Sequence, residues 1–133
     1  MSRTVFLGLI PPVYVIAGVV VPLYLLNPDY GWSIVIAFWV PVVVLSILVL
    51  PREQPPMRKA FLATCLLFVP ITVGFEYLSL YLDIWNFSEE QSALWGIDIF
   101  GAPIEEFIFW FGATPLCLLI YLYYRQLLTG RRG

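Results

Sequence analysis

The stretch "GWSIVIAFWVPVVVLSILVL" at residues 31–50 contains no charged side chain. A helix needs about 20 consecutive apolar residues to cross the hydrocarbon core of a bilayer. This stretch therefore predicts a transmembrane helix, with Pro41 near its middle.

Three further segments pass the same test of length. Residues 5–26 carry no charge but contain three prolines, and because each proline removes a backbone donor, we expect this helix to kink or to start late. The segment is longer than the apolar core of a typical signal peptide, and no small-residue cleavage site follows it, which favours a retained helix. The four predicted transmembrane helices cover about residues 5–26, 31–50, 60–83 and 103–124.

The composition agrees with a membrane protein. Of 133 residues, 61% are hydrophobic and 12% are charged, whereas soluble domains are near one half apolar and about one quarter charged. We therefore predict one all-α integral membrane domain over residues 1–133, a small bundle of four transmembrane helices. Cys65 and Cys117 lie in apolar runs without metal-ligand spacing, and the chain has no histidine, so we expect no metal site.

The basic residues lie in only some of the segments that flank and connect the predicted helices. All seven basic residues lie before the first helix, between the second and third, or after the fourth. With four spans these three places share one side of the membrane, and the positive-inside rule makes that side, with both termini, cytoplasmic. The connection between helices three and four, residues 85–101, mixes acidic with aromatic residues, which is typical of an interfacial segment that covers the end of a bundle.

Glu76 lies inside the third apolar segment. It is seven residues before Asp83, which places it about 10 Å below the membrane edge. An ionisable residue within a span costs about 2.5–3.5 kcal/mol even on lenient scales and usually marks function. Either Glu76 is neutral or it faces a wet cavity. The structural alternative is a protonated glutamate that is hydrogen-bonded to a neighbouring Tyr or Thr.

Glu105 and Glu106 follow Pro103 at the start of the fourth helix. A first turn favours anions because its backbone N–H groups are unpaired, so both acids also fit a simple role as caps at the membrane surface. Adjacent helical residues point about 100° apart, however, so one of them can face the bundle while the other faces water.

The predicted topology brings these acids to the same side of the membrane. Three carboxyl groups in an apolar pocket do not all ionise together, because desolvation and like-charge repulsion keep at least one proton bound. Such a group can act as a general acid toward a hydrocarbon substrate. Nearby aromatic rings, among them Tyr77, Trp85 and Trp110, offer π faces that stabilise a cation, although an interfacial aromatic belt explains them equally well.

Two motifs carry a family resemblance: "FEYLSLYLDIWNF" at residues 75–87 and "GAPIEEFIFWF" at residues 101–111. With them the chain resembles the membrane-bound lycopene cyclase domain of bacterial heterodimeric and of archaeal or fungal carotenoid cyclases. The resemblance covers residues 58–124 well, and the family often has Asp where this chain has Glu76. The matching positions are Glu76, Trp85, Pro103, Glu105, Glu106, Phe107 and Phe109.

The resemblance implies a redox-neutral isomerase that protonates the terminal double bond of an acyclic carotenoid, closes the carbocation into a ring and removes a proton. No cofactor is expected, since no glycine-rich nucleotide fingerprint occurs. The working unit of the family commonly contains two such domains, so we expect pairing with a second copy or with a sister subunit. The implied catalytic residues are Glu76, Glu105 and Glu106, and the implied substrate-binding residues are Tyr77, Trp85, Pro103, Phe107, Phe109 and Trp110.

Other functions remain open. A related enzyme could hydrate the carotenoid end group instead of cyclising it. A non-enzymatic subunit could bind carotenoid or relay protons, but a relay needs polar residues through the whole membrane, and helices one and two have almost none. A purely structural helical partner does not account for Glu76. The expected partners are the lipid bilayer and a long polyene, with no nucleic acid.

Overall fold

The computed structural model of the chain describes residues 3–15, 17, 30–84 and 95–130, and these are mostly helical. Three helices are long and apolar enough to cross a membrane: Trp32–Arg52, Pro55–Tyr81 and Ile104–Thr129. The helical class and these three candidate spans confirm the coarse prediction. Of the expected first span, 5–26, the structure describes residues 5–15 and 17, and the rest lies outside the described residues.

The helices differ from their predicted bounds mainly at their ends. The helix expected at 60–83 begins earlier, at Pro55, where proline suits a first turn, and the last helix continues to Thr129. The first helix begins at Arg3 and passes through Pro11 and Pro12, so it does not start late. The elements are α1 (Arg3–Val15), α2 (Tyr30–Ile34), a π-helical turn (Val35–Trp39), α3 (Val40–Val49), a 3₁₀ turn (Leu50–Arg52), α4 (Pro55–Tyr81), β1 (Asp98–Ile99), β2 (Ala102–Pro103) and α5 (Ile104–Thr129).

The π-helical turn has a local cause in the sequence. Pro41 has no N–H to donate to the carbonyl four residues earlier, and its ring would clash with that carbonyl. The turn before it is wider, with the N–H of Val40 donating to the carbonyl of Val35. Helical structure thus continues from α2 into α3 despite the proline.

Helix α5 is the centre of the fold, because it packs against α1, α2, the π-helical turn, α3 and α4. Leu116, Leu119 and Leu122 recur at intervals of three residues on α5 and form the buried core together with α3 and α4. The outer surface is strongly apolar, and α4 exposes much of it, including Leu62, Leu66 and Leu67 on one stretch.

Hydrogen bonds define one end of the molecule, which we call the basic end. The hydroxyls of Tyr123 and Tyr124, near the end of α5, donate to the carbonyls of Leu7 and Gly8, at 2.8 and 2.6 Å, in the first turns of α1. The start of α1 and the end of α5 therefore lie together, and the ion pair between Arg125 and Glu53, just before α4, brings the start of α4 to the same end. Basic residues near this end include Arg52, Arg58, Lys59 and Arg125.

The opposite end carries a small hairpin between α4 and α5. Strands β1 and β2 pair antiparallel through a two-residue turn at Phe100 and Gly101, both of which have positive φ (53° and 84°). A turn with two positive φ values fits the twist of a tight hairpin, and Gly101 adopts this conformation without strain. The hairpin residues 96–101 are exposed, whereas Ala102 and Pro103 are buried where α5 begins. Residues 85–94 of the predicted interfacial segment lie outside the described residues.

Candidate active site

Glu76 is buried on the face of α4 that meets α5, with 1% of its surface exposed. Thr72 and Ser79 are buried on the same helix, four residues before and three residues after it, so these three polar side chains lie on its inward face. The indole Nε1–H of Trp110 donates to Oε1 of Glu76 at 2.6 Å. Oε2 has no hydrogen-bond partner within the described part of the chain.

Glu105 is fully buried in the first turn of α5, with 0% of its surface exposed. Its Oε1 accepts a hydrogen bond from the backbone N–H of Trp95, and its Oε2 has no partner among the residues that the structure describes. Trp95 is held in place because the N–H of Ile104 donates to the carbonyl of Ile97 at 2.8 Å, which fastens the hairpin segment to α5.

Glu106, next to Glu105, is partly buried. The carboxyl groups of Glu76 and Glu105 lie close enough for their charges to act on it, so the three acids form one electrostatic cluster. Over the described ranges, the one ion pair joins Glu53 to Arg125 at the basic end, and no cation pairs with the cluster. The described residues also include no group of three or more Asp, Glu or Cys placed to hold a metal ion.

An apolar groove with a volume of about 480 Å³ lies between α4 and α5, and Trp110, the hydrogen-bond partner of Glu76, is part of its lining. From Thr64 to Phe75 the groove follows α4 for about 16 Å, given a rise of 1.5 Å per residue. The residues that line it are Thr64, Phe68, Ile71, Thr72, Phe75, Trp110, Ala113, Thr114, Cys117 and Leu118.

The groove leads toward the acids along both helices. On α4, Thr64, Phe68 and Thr72 line it at intervals of four residues, and the next position of that series is Glu76. Residues four apart lie on the same face of a helix, so the series runs along one side of α4. At the end near Glu76, the rings of Phe75 and Trp110 meet edge to face with centroids 6.3 Å apart.

On helix α5, too, a series of groove residues four apart leads to a glutamate, here toward the start of the helix. Leu118, Thr114 and Trp110 line the groove at intervals of four residues, and the next position is Glu106. The two series converge because the helices are antiparallel, and Trp110 belongs both to the groove wall and to the hydrogen bond with Glu76.

The substrate-binding residues expected from the sequence are dispersed. Trp110 lines the groove, whereas Phe109 packs edge to face on Phe38 with ring centroids 4.8 Å apart. Phe107 is buried beside Phe111, and Pro103 is buried at the start of α5. Tyr77 is 59% exposed and does not line the groove, and Trp85 lies outside the described residues.

The sequence reasoning missed the groove residues of α4. Phe68 and Thr72 stand eight and four residues before Glu76, so counting back in steps of four from the intramembrane acid finds them. The signal was present in the sequence, but nearly every position of this helix is apolar, which hides any one face.

Comparisons with family models, with curated proteins and with solved structures found no match to this chain.

Proposed function

We propose that this protein is an integral membrane carotenoid end-group cyclase of the lycopene β-cyclase type. A carboxylic acid of the glutamate cluster adds its proton to the terminal C=C bond of an acyclic polyene, and the resulting cation is attacked by a second double bond, which closes a six-membered ring. A carboxylate then removes a proton from the ring and restores a C=C bond. The reaction is an isomerisation that needs no oxidant or reductant.

One observation carries this proposal: two buried carboxyl groups, those of Glu76 and Glu105, each keep one oxygen without a described hydrogen-bond partner, and Glu76 is hydrogen-bonded to Trp110, which lines an apolar groove. A buried carboxylate without a counter-cation is costly, which favours a cluster that keeps at least one proton. An acid that is sheltered from water, next to a hydrocarbon-lined space, is suited to protonating an alkene.

The groove suits a long hydrocarbon. Its lining is almost entirely apolar, and it extends for about 16 Å along α4, so a linear polyene can lie in it with its terminus toward the acids. Phe75 and Trp110 stand at that end, and the faces of their rings would stabilise the positive charge that develops on the substrate.

The proposal includes insertion into a bilayer through four helices, with residues 5–26 as the first span. It is supported by the exposed apolar surface, which includes Ile47 at 68%, Leu66 at 70% and Leu67 at 61%, while several polar side chains are buried. An apolar surface of this extent needs lipid or a partner to cover it. The basic end faces the cytoplasm in this arrangement, and the enzyme works with a second copy or with a sister subunit.

The test is expression in lycopene-accumulating cells, alone and with a sister subunit of the same type, followed by pigment chromatography. We expect cyclic products from the wild type and a loss of at least about 100-fold for Glu76→Gln, which keeps the shape but not the acid. Asp83→Asn, at an exposed position at the end of α4, is the matched control and should cyclise normally.

Each rival function gives a different outcome. A hydratase would yield hydroxylated acyclic pigment, and a carotenoid-binding or proton-relay subunit would leave lycopene unchanged. If Glu76→Gln, Glu105→Gln and Glu106→Gln all cyclise at the wild-type rate, the cluster is not the source of the proton.

A further inference from the structure

We propose that Glu76 carries the transferable proton, on Oε2, and that Trp110 is the positioning residue that fixes this carboxyl group for donation. The catalytic part of this inference rests on the proposed cyclase function. The location of the proton and its hydrogen bond are properties of the protein alone, and they can be tested without substrate.

The positions of the three acids on their helices separate them. Glu105 and Glu106 lie in the first turn of α5, where free N–H groups and the helix dipole stabilise a negative charge. Glu76 lies five residues before the end of α4 at Tyr81, more than one turn from either terminus, so no helix N-terminus stabilises a negative charge there. Of the three carboxyl groups, Glu76 is therefore the least favourable place for an anion.

Glu76 and Glu105 each accept one N–H hydrogen bond, so their positions on the helices, and not the number of bonds, distinguish the two carboxyl groups. Because Glu76 and Glu105 are both buried and both act on Glu106, the cluster avoids carrying three negative charges. The proton that the cluster retains is assigned to Glu76.

The hydrogen bond from Trp110 determines which oxygen holds that proton. An indole N–H is a donor only, so Oε1 of Glu76, 2.6 Å from Nε1, must accept and acts as the carbonyl oxygen of the neutral acid. The O–H group is then at Oε2, which has no other partner among the described residues. Trp110 thus holds one side of the carboxyl group and leaves the other free to give up its proton.

The same bond aids the donation step. A hydrogen bond strengthens when its acceptor becomes ionised, so the indole N–H binds the carboxylate that forms more tightly than the acid. An interaction that grows as the reaction proceeds lowers the barrier. Trp110 also lines the groove, so this effect acts beside the space assigned to the polyene.

Infrared spectroscopy of the purified protein tests the inference without any substrate. The C=O band of a protonated carboxyl group is expected in the wild type at the frequency of a hydrogen-bonded carbonyl, and it should disappear in Glu76→Gln. Trp110→Phe keeps an aromatic ring but removes the donor, so the band should move to higher frequency. Trp39→Phe is the matched control, because it also removes an indole hydrogen bond, to the carbonyl of Ile108 at 3.0 Å, and it should not move the band.

The outcomes are distinguishable from failure of the proposed function. If the wild type does not cyclise lycopene but shows the C=O band at the hydrogen-bonded frequency, the proposed function is wrong and the assignment of the proton to Glu76 stands. The inference is overturned if Glu76→Gln retains the carboxyl band, or if the wild-type band lies at the frequency of a free carbonyl. Both outcomes are measurable even if Trp110→Phe does not fold. In an active enzyme, Trp110→Phe should lower kcat about tenfold with little change in KM, and an unchanged kcat would overturn the role of Trp110 in donation.

Discussion

The indole of Trp39 lies directly over Gly112 of α5. A Cβ atom placed on Gly112 would come within 2.9 Å of Nε1 of Trp39 and 3.1 Å of Cβ of Phe38, so only glycine lets the two helices approach this closely. The same indole donates to the carbonyl of Ile108, one turn earlier on α5. Close packing and a hydrogen bond thus join the π-helical turn to α5 at one point.

Gly112→Ala should destabilise the fold. The added methyl group must displace Trp39 or separate the helices, at a cost of about 1–3 kcal/mol, which exceeds the gain of up to about 1 kcal/mol in helix propensity. Unfolding by SDS titration in mixed micelles measures the free energy. Gly74→Ala is the matched control, because apart from the adjacent backbone of its own helix no atom lies within 4 Å of its Cβ position, and it should be neutral or slightly stabilising. Equal stability of the two variants would contradict this packing.

Glu53 and Arg125 form an ion pair at the basic end. The Glu53 side chain is 4% exposed and also accepts a hydrogen bond from Gln126 at 2.7 Å, whereas Arg125 keeps 25% of its side chain exposed. Arg125→Met leaves a buried carboxylate with one fewer partner, and we expect a loss of about 2–3 kcal/mol, below the range for fully buried pairs. The same SDS titration measures it, with Lys59→Met, at an exposed position of α4, as control. No difference between the two variants would show that the pair contributes nothing.

The sequence was sufficient for features that depend on segment length and on isolated acids. Helix α4 follows from one long apolar run, and the burial of Glu76 follows from its place within that run. The hydrogen bond between Trp110 and Glu76 could not be predicted, because an interfacial aromatic belt explains the same tryptophan. The packing of Trp39 on Gly112 also depends on the rotation of two helices whose faces are almost equally apolar, so periodicity carries no information about it.

The predicted orientation can be tested with single cysteines. In a background with Cys65→Ala and Cys117→Ala, Asp98→Cys reports on the hairpin end and Lys59→Cys on the basic end, and both positions are exposed. We expect a membrane-impermeant maleimide to label Asp98→Cys in intact cells and Lys59→Cys only after permeabilisation, because basic residues favour the cytoplasmic side. The reverse pattern would invert the topology, and labelling of both from outside would contradict a membrane span in α4.

Filling the groove should separate binding of the polyene from chemistry. Thr114 lines the middle of the α5 wall, and Thr114→Phe places a ring where the hydrocarbon would lie, so both the bound pigment and the cyclised product should fall at least about tenfold. Glu76→Gln leaves the groove open and should keep its pigment while it loses product. Leu128→Phe introduces the same ring at a position that is 78% exposed near the end of α5 and should change neither quantity. Pigment absorbance per mole of purified protein and chromatography of the products are the measurements.

If Thr114→Phe elutes as a folded protein and still binds pigment like the wild type, the polyene lies elsewhere, and the convergence of the two helix faces on Glu76 and Glu106 does not guide the substrate.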